Sequence, residues 1–178
     1  IAREKLIEII RESVPRGKYH LERDYLLPQY NEGKLKIHVY PFHNVVMFND
    51  STVEYYKNSM RLLDEDVRHG LYRSEVPIYT KVRDAVPTLY GENGRTPNCL
   101  VADGCHLFGC AENSIIFREV EIEEGAEVRD CVVMQGAKIG AGANIQYAIL
   151  DKNVAVRPGT RLLGTPEHPL IINKGAIV

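Results

Sequence analysis

The chain has 178 residues, 44% apolar and 26% charged, with a net charge of −2. Such a composition belongs to a globular chain of one or two domains, and so small a charge gives no reason to expect nucleic acid or an anionic membrane as partner. No apolar run approaches a membrane span, and the opening I-A-R-E-K-L-I-E-I-I mixes charges with aliphatics, unlike a secretory signal.

Because it begins at Ile1 rather than Met, the chain reads as a fragment of a longer protein. Leu6, Ile9, Ile10 and Val14 form a helical stripe, which Pro15–Gly17 ends. Tyr19 to Tyr30 reads as a second helix, interrupted by Pro28 and closed by Gly33. Leu35 to Tyr40 (L-K-I-H-V-Y) alternates as a strand does, and Asn44 to Phe48 reads as another short strand. Ser51 and Glu54 make an S-x-x-E capping box. The helix that follows puts Val53, Tyr56, Met60 and Leu63 on one face. Gly70 to Asn98 carries Pro77, Pro87 and Pro97 without a sustained period and reads as an extended connector.

From Val101 to Leu162 the apolar residues recur at a fixed step of 17, in the columns Ile116–Val133–Leu150, Ile122–Ile139–Val156 and Val128–Ile145–Leu162. Gly125, Gly142 and Gly159 keep the same step, as do Cys131, Ala148 and Thr165. A period with matching residue types in each column is the signature of a solenoid, whose coils bury their apolar faces only by stacking. The spacing subdivides as six, six and five (Ile116, Ile122, Val128, Val133), so each coil has three faces with one aliphatic side chain turned inward from each. The earlier hexad V-A-D-G-C-H (Val101–His106) is out of step, since Val101 stands 21 residues before Ile122, and the excess is assigned to a bulge at Phe108–Glu112. T-P-E-H-P leaves the repeat and leads to a short apolar strand that can cap one end. The domains expected are an α/β piece over 1–66, a connector over 67–98 and a solenoid over 99–178.

Chemistry is sparse. No Walker loop, G-x-S-x-G or metal-spaced His/Cys cluster is present. The four cysteines, Cys99, Cys105, Cys110 and Cys131, form no C-x-x-C pair. Cys105 and Cys131 occupy small-residue columns, which marks them as core fillers, and a reducing cytoplasm is the expected compartment. A hexapeptide-repeat acyltransferase would need a histidine as general base. The one histidine within the repeat, His106, ends its hexad, where a solvated corner is expected. Glu121, Glu123 and Glu124 read as a solvated face, and Arg157, Arg161 and Lys174 as a possible anion patch.

The repeat resembles the hexapeptide, left-handed parallel β-helix; the handedness comes from the resemblance. P-I-Y-T (Pro77–Thr80), N-S-I-I-F (Asn113–Phe117) and I-L-D-K-N-V (Ile149–Val154), in that order after the helix V-E-Y-Y-K-N-S-M-R-L-L, are similar to the C-terminal half of ADP-glucose pyrophosphorylase. That family, the glucose-1-phosphate adenylyltransferases of bacterial glycogen synthesis, joins ATP and glucose-1-phosphate with Mg²⁺. The resemblance covers the chain from about Tyr19 onward. The family's W-R-D-V-G-T motif corresponds to Val46–Ser51 here, so Phe48 stands where an aspartate helps to hold metal, with Asp50 two residues on. A phenyl ring cannot ligate Mg²⁺. F-G-K-D corresponds to Glu22–Tyr25, with Arg23 the nearest cation to the lost lysine. Loss of both motifs is similar to the regulatory GlgD-type subunit that partners a catalytic subunit. The resemblance then implies no catalytic or metal residues and no cofactor in this piece, with Mg²⁺ and ATP belonging to the family's catalytic domain. It also implies assembly through the β-helix, as a hetero-tetramer or a homo-oligomer. A sugar-phosphate effector is implied as well, and Lys174, with Arg157 and Arg161, is its candidate contact. A diverged catalytic subunit and a hexapeptide-repeat acyltransferase remain the alternatives.

Overall fold

In a computed structural model of the chain, residues 1–80 and 84–178 are described. They divide into two units, Ile1–His43 and Asn44–Val178. In the first, α1 (Arg3–Ser13) follows the predicted stripe and runs into one tight turn, Val14–Arg16, which Gly17 closes at φ +70°. The second helix starts at Leu21. A wide turn, Leu21–Leu26, leads directly into α2, Leu27–Asn31, and the Leu27 N–H reaches back to the Glu22 carbonyl. Pro28 does not break this helix. It has no N–H, and its ring would strike the preceding turn of a regular helix; the widened turn just before it relieves that crowding. Gly33 ends the helix at φ +67°, and the Lys34 N–H bonds the Gln29 carbonyl.

The alternating run Leu35–Tyr40 forms no strand. Alternation makes a strand only when a neighbour takes up its N–H and C=O groups. Among the described residues nothing pairs with this run, and Val39 and Tyr40 are exposed. Asn44–Phe48 is likewise unpaired. The expected α/β character of the N-terminal piece is therefore helical only.

In the second unit, α3 (Thr52–Arg61) starts where the capping box places it, with Ser51 Oγ accepting the Glu54 N–H at 3.1 Å. A further helix, α4 (Glu65–Leu71), was not foreseen. Asp64 caps it through the Asp66 and Val67 N–H groups, and Arg68 donates to the Leu62 and Leu63 carbonyls at the end of α3.

The solenoid is a parallel β-helix of short strands in three sheets. Face A holds β1 (Leu89–Tyr90), β3 (His106–Leu107), β6 (Glu121–Ile122), β9 (Lys138–Ile139) and β12 (Ala155–Val156). Face B holds β4 (Cys110–Glu112), β7 (Glu127–Arg129), β10 (Asn144–Gln146) and β13 (Arg161–Leu163). Face C holds β2 (Leu100–Val101), β5 (Ile115–Ile116), β8 (Val132–Val133), β11 (Ala148–Leu150) and β14 (Leu170–Ile172). The predicted columns are the observed register: Ile122 stands beside Ile139, Val128 beside Ile145 and Ile116 beside Val133. Ile122, Val128, Val133, Ile139, Ile145, Leu150 and Val156 are all buried in one core. Each such side chain contributes about 1.5–3 kcal/mol relative to exposure.

Four expectations about the repeat are corrected. The ladder begins at Leu89, inside the stretch expected to be connector, because β1 pairs in parallel with β3; the glycines and prolines there conceal a coil. Val101 belongs to the column of Ile116, not that of Ile122, whose neighbour is Leu107. No bulge exists at Phe108–Glu112; this coil is shorter than the others at that corner. Gly109 makes the tight corner possible, since a Cβ there would lie 2.5 Å from the Ala126 carbonyl oxygen and 2.6 Å from that of Glu123. Finally, Thr165 leaves its column. Thr165–Pro169 is an insertion, after which Leu170 takes the place beside Ala148 and the chain re-enters the repeat. The final residues close face A, with Ile177 bridging Ala155.

Candidate functional site

The outer surfaces of the three faces differ in chemistry. Face B is a network of polar side chains. Arg129 lies within ion-pair distance of Glu112 and Glu127, and Asn144 donates to Glu127. Face A carries an exposed ladder in which His106 stands beside Glu121, and Lys138 pairs with Glu121 at 2.9 Å. His106 lies on the strand β3 rather than at a corner, and it is exposed. Face C is apolar outside as well as inside. Val132 and Ile149 point outward yet are buried, because α3 lies over them with Tyr56, and Tyr55, Met60, Met134 and Tyr147 pack around this cluster.

A cleft of about 550 Å³ opens along the seam between α3 and the solenoid. Its floor is Tyr56 and Tyr147; Lys57 and Arg61 come from α3, Asp130 from the corner between faces B and C, and Glu167 from the Thr165–Pro169 insertion. The corner is built by a column of residues with left-handed backbone: Asn98, Asn113, Asp130 and Tyr147, at φ +51°, +46°, +51° and +49°. Asn and Asp accept that conformation, whereas for a bulky residue it is an outlier. The Asn98 amide donates to the Asn113 side chain at 2.8 Å, so side chains ladder up the corner. Burial raises the Asp130 carboxyl above the usual carboxylate range; Glu112 adds to this, while Asn113 and Arg129 oppose it. Tyr56 Oη donates to the Asp130 carbonyl at 2.7 Å, and burial pushes its hydroxyl up.

The loop before α3 carries the position where the family resemblance expects a metal-holding aspartate. Phe48 fills it and is 71% exposed. Its carbonyl accepts from Asn58 Nδ2 at 2.6 Å, and the same amide donates to Asn49 Oδ1 at 3.0 Å. Asn58 is itself buried, and its Oδ1 accepts from Arg61. Among the described residues no cluster of three acidic, His or Cys side chains could hold a metal ion. In the first unit, Arg23 is paired with Asp24 at 2.9 Å. That bond, with the His20 N–H, pulls the Asp24 carboxyl down to about 2.

The three candidate anion contacts do not share one corner. Arg157 follows β12 and Arg161 opens β13, so both flank the corner between faces A and B in the last coil. Lys174 follows β14, at the corner between faces C and A, and the next residue, Gly175, donates its N–H to the Lys152 carbonyl. All three are exposed. The cleft residues Tyr56, Asp130 and Tyr147 were not singled out by sequence reasoning as a site. The signal was present, since Tyr147 interrupts a column of Asn and Asp at the 17-residue step.

Cys105 and Cys131 are fully buried and fill the core. Cys131 keeps its small-residue column beside Ala148, whereas Cys105 stands beside Val120, because its coil is two residues shorter than the step of 17. Their thiols donate to backbone carbonyls, Cys105 Sγ to Phe117 at 3.1 Å and Cys131 Sγ to Arg129 at 3.0 Å. Desolvation pushes the Cys131 thiol up to about 12.

Comparison with known proteins agrees with this architecture. A family model described as GlmU-like, C-terminal hexapeptide, matches residues 84–168. The glycogen biosynthesis protein GlgD of Bacillus subtilis (strain 168) is 37% identical over 143 residues, covering 80% of this chain and 42% of that protein. GlgD of Geobacillus stearothermophilus is 38% identical over 120 residues, 67% of this chain and 35% of that protein. The glucose-1-phosphate adenylyltransferase of Corynebacterium jeikeium (strain K411) is 33% identical over 130 residues, 70% of this chain and 32% of that protein. The chain thus spans less than half the length of these curated relatives. With its three-faced solenoid and these relatives, the chain belongs to the ADP-glucose pyrophosphorylase (glucose-1-phosphate adenylyltransferase) family and is similar over most of its own length to the GlgD proteins.

Proposed function

We propose that this chain is a regulatory and assembly part of a glucose-1-phosphate adenylyltransferase in glycogen biosynthesis, supporting a catalytic subunit that makes ADP-glucose. The observation that carries the reading is the similarity to GlgD proteins through both α3 and the solenoid. Phe48 in place of a metal-holding carboxylate supports it. The partner is a catalytic subunit in a mixed tetramer, with the solenoid contributing contacts. ATP and Mg²⁺ are used by the catalytic partner, in the cytoplasm; no helix here is long and apolar enough to cross a membrane among the described residues. Arg157 and Arg161, flanking one corner, and Lys174 at another are candidate phosphate contacts for an effector, because cations pair with phosphate oxygens through charge-assisted bonds.

The test is reconstitution. The chain alone, given ATP, Mg²⁺ and glucose-1-phosphate, forms no ADP-glucose, and Phe48→Asp does not change that. Mixed with a catalytic subunit, it co-elutes as a complex and alters that subunit's response to sugar phosphates. ADP-glucose formation by the chain alone, or separate elution of the two, counts against the proposal. Lys174→Ala and Arg157→Ala in the complex test the effector contacts separately.

A further inference from the structure

We propose that the cleft between α3 and the Asp130–Tyr147 corner binds a small bipolar metabolite, and that α3 relays its occupancy to the Phe48–Asn49 loop. The ligand would carry an acidic group at one end and an amine or hydroxyl donor at the other. This goes beyond an assembly role and does not depend on it.

The chemistry of the walls selects the ligand class. Lys57 and Arg61 stand four residues apart, on one edge of α3, and both are exposed toward solvent. Among the described residues Lys57 makes only a long ion pair, 3.7 Å to Glu54, and Arg61 commits NH1 to the Asn58 side chain. Their remaining donors suit a carboxylate or phosphate. Across the cleft, Asp130 and Glu167 offer only acceptors, and the Tyr56 and Tyr147 rings line the floor. An ammonium group there meets carboxylates and ring faces; a hydroxyl group meets the carboxylates alone. Burial disfavours the charge of Asp130. A donor from the ligand would relieve it. Tyr147 adds a second sign of purpose, because a bulky residue in left-handed backbone is a strained choice in a column otherwise built of Asn and Asp.

The relay is a chain of direct contacts within α3. Tyr56 and Arg61 line the cleft, Arg61 bonds Asn58, and Asn58 holds both the Phe48 carbonyl and the Asn49 side chain. When a ligand's acid draws the Arg61 guanidinium toward the cleft, the Asn58 amide loses a partner. The loop it holds then changes environment.

The experiment uses the intact chain with three probes: phosphoethanolamine, glycerol 3-phosphate and inorganic phosphate. Calorimetry should give at least one bipolar probe a Kd tenfold or more below that of inorganic phosphate, and which of the two prevails distinguishes an amine from a hydroxyl ligand. Lys57→Ala and Arg61→Ala, both at exposed positions, should each weaken that binding tenfold or more. Since the chain has no tryptophan, Phe48→Trp supplies a fluorescent reporter at an exposed position. Its emission should shift on binding, and Asn58→Ala should abolish the shift while leaving the Kd within about twofold. Equal binding of all three probes, or binding indifferent to Lys57→Ala and Arg61→Ala, overturns the site. Binding without any change in emission overturns the relay.

Discussion

Tyr56 Oη donates to the Asp130 carbonyl at 2.7 Å across 74 residues of sequence. This bond fastens α3 to the corner of the solenoid, above the outward-facing Val132 and Ile149. The carbonyl it satisfies sits at a left-handed corner, outside any strand ladder. Tyr56→Phe keeps the ring and removes the donor, so it should destabilise the α3 seam by about 1 kcal/mol. Hydrogen exchange should quicken along α3 while the amides of β8 and β9 keep their protection. Unchanged exchange in α3 would show that packing alone holds the helix.

Ile139 lies in the central coil, fully buried between Ile122 and Val156. Ile139→Ala leaves a void that the stacked neighbours cannot close, and should cost about 2–5 kcal/mol. Urea unfolding followed by circular dichroism measures it. Ile171→Ala, on the outer surface of face C where the side chain is 46% exposed, should cost far less.

The Asp130 carboxyl has its folded-state pKa raised, by burial first and then by Glu112. A raised value means the folded chain holds this proton more tightly than the unfolded chain does. The resulting contribution to stability is fully present below the ordinary aspartate pKa, and it is lost as pH rises through the raised value. Asp130→Asn should abolish that loss, and Asn tolerates the left-handed backbone at this corner. Urea midpoints are read at about pH 3.5 and about pH 7, bracketing the normal aspartate range; the midpoint at pH 7, relative to that at pH 3.5, should be higher for the variant than for the parent. An identical difference would mean that Asp130 does not titrate in this window.

Cys131 and Cys105 should resist alkylation in the folded chain. Both are fully buried, both thiols are raised by desolvation, and only the thiolate reacts. Iodoacetamide near neutral pH should label the half-buried Cys110 and Cys99 first. Cys105 and Cys131 should follow only at the rate of unfolding, as mass spectrometry of peptides would read. Rapid labelling of Cys131 would mean that the coil around it opens readily.

The solenoid was legible in the sequence because each column repeats a residue type at a constant step. Ile116, Val133 and Leu150 must each fill the same volume above one another, so a single register satisfies all of them. What escaped were places where the step changes. The coil through Leu107 and Ala111 runs 15 residues on face A and 17 on face B, and a search for one period assigns its residues to the wrong columns. Leu35–Tyr40 misled in the opposite way, since alternation records which side of a strand is greasy but not whether a neighbour exists. The cleft was invisible for a third reason. Its walls come from α3, a corner and an insertion, and no local pattern links Tyr56 to Asp130 or Glu167.

The short corner at Gly109 also bears on how the chain finds its fold. A ladder with a constant step is nearly degenerate: displaced by one whole coil, most isoleucines and valines would still meet isoleucines and valines. One coil of different length breaks that translational symmetry. A chain that closed one rung out of place would bring a 17-residue coil to a corner cut for 15, where the Ala126 and Glu123 carbonyls leave room for nothing larger than glycine. Gly109 therefore works as an index mark, against which the remaining coils are counted.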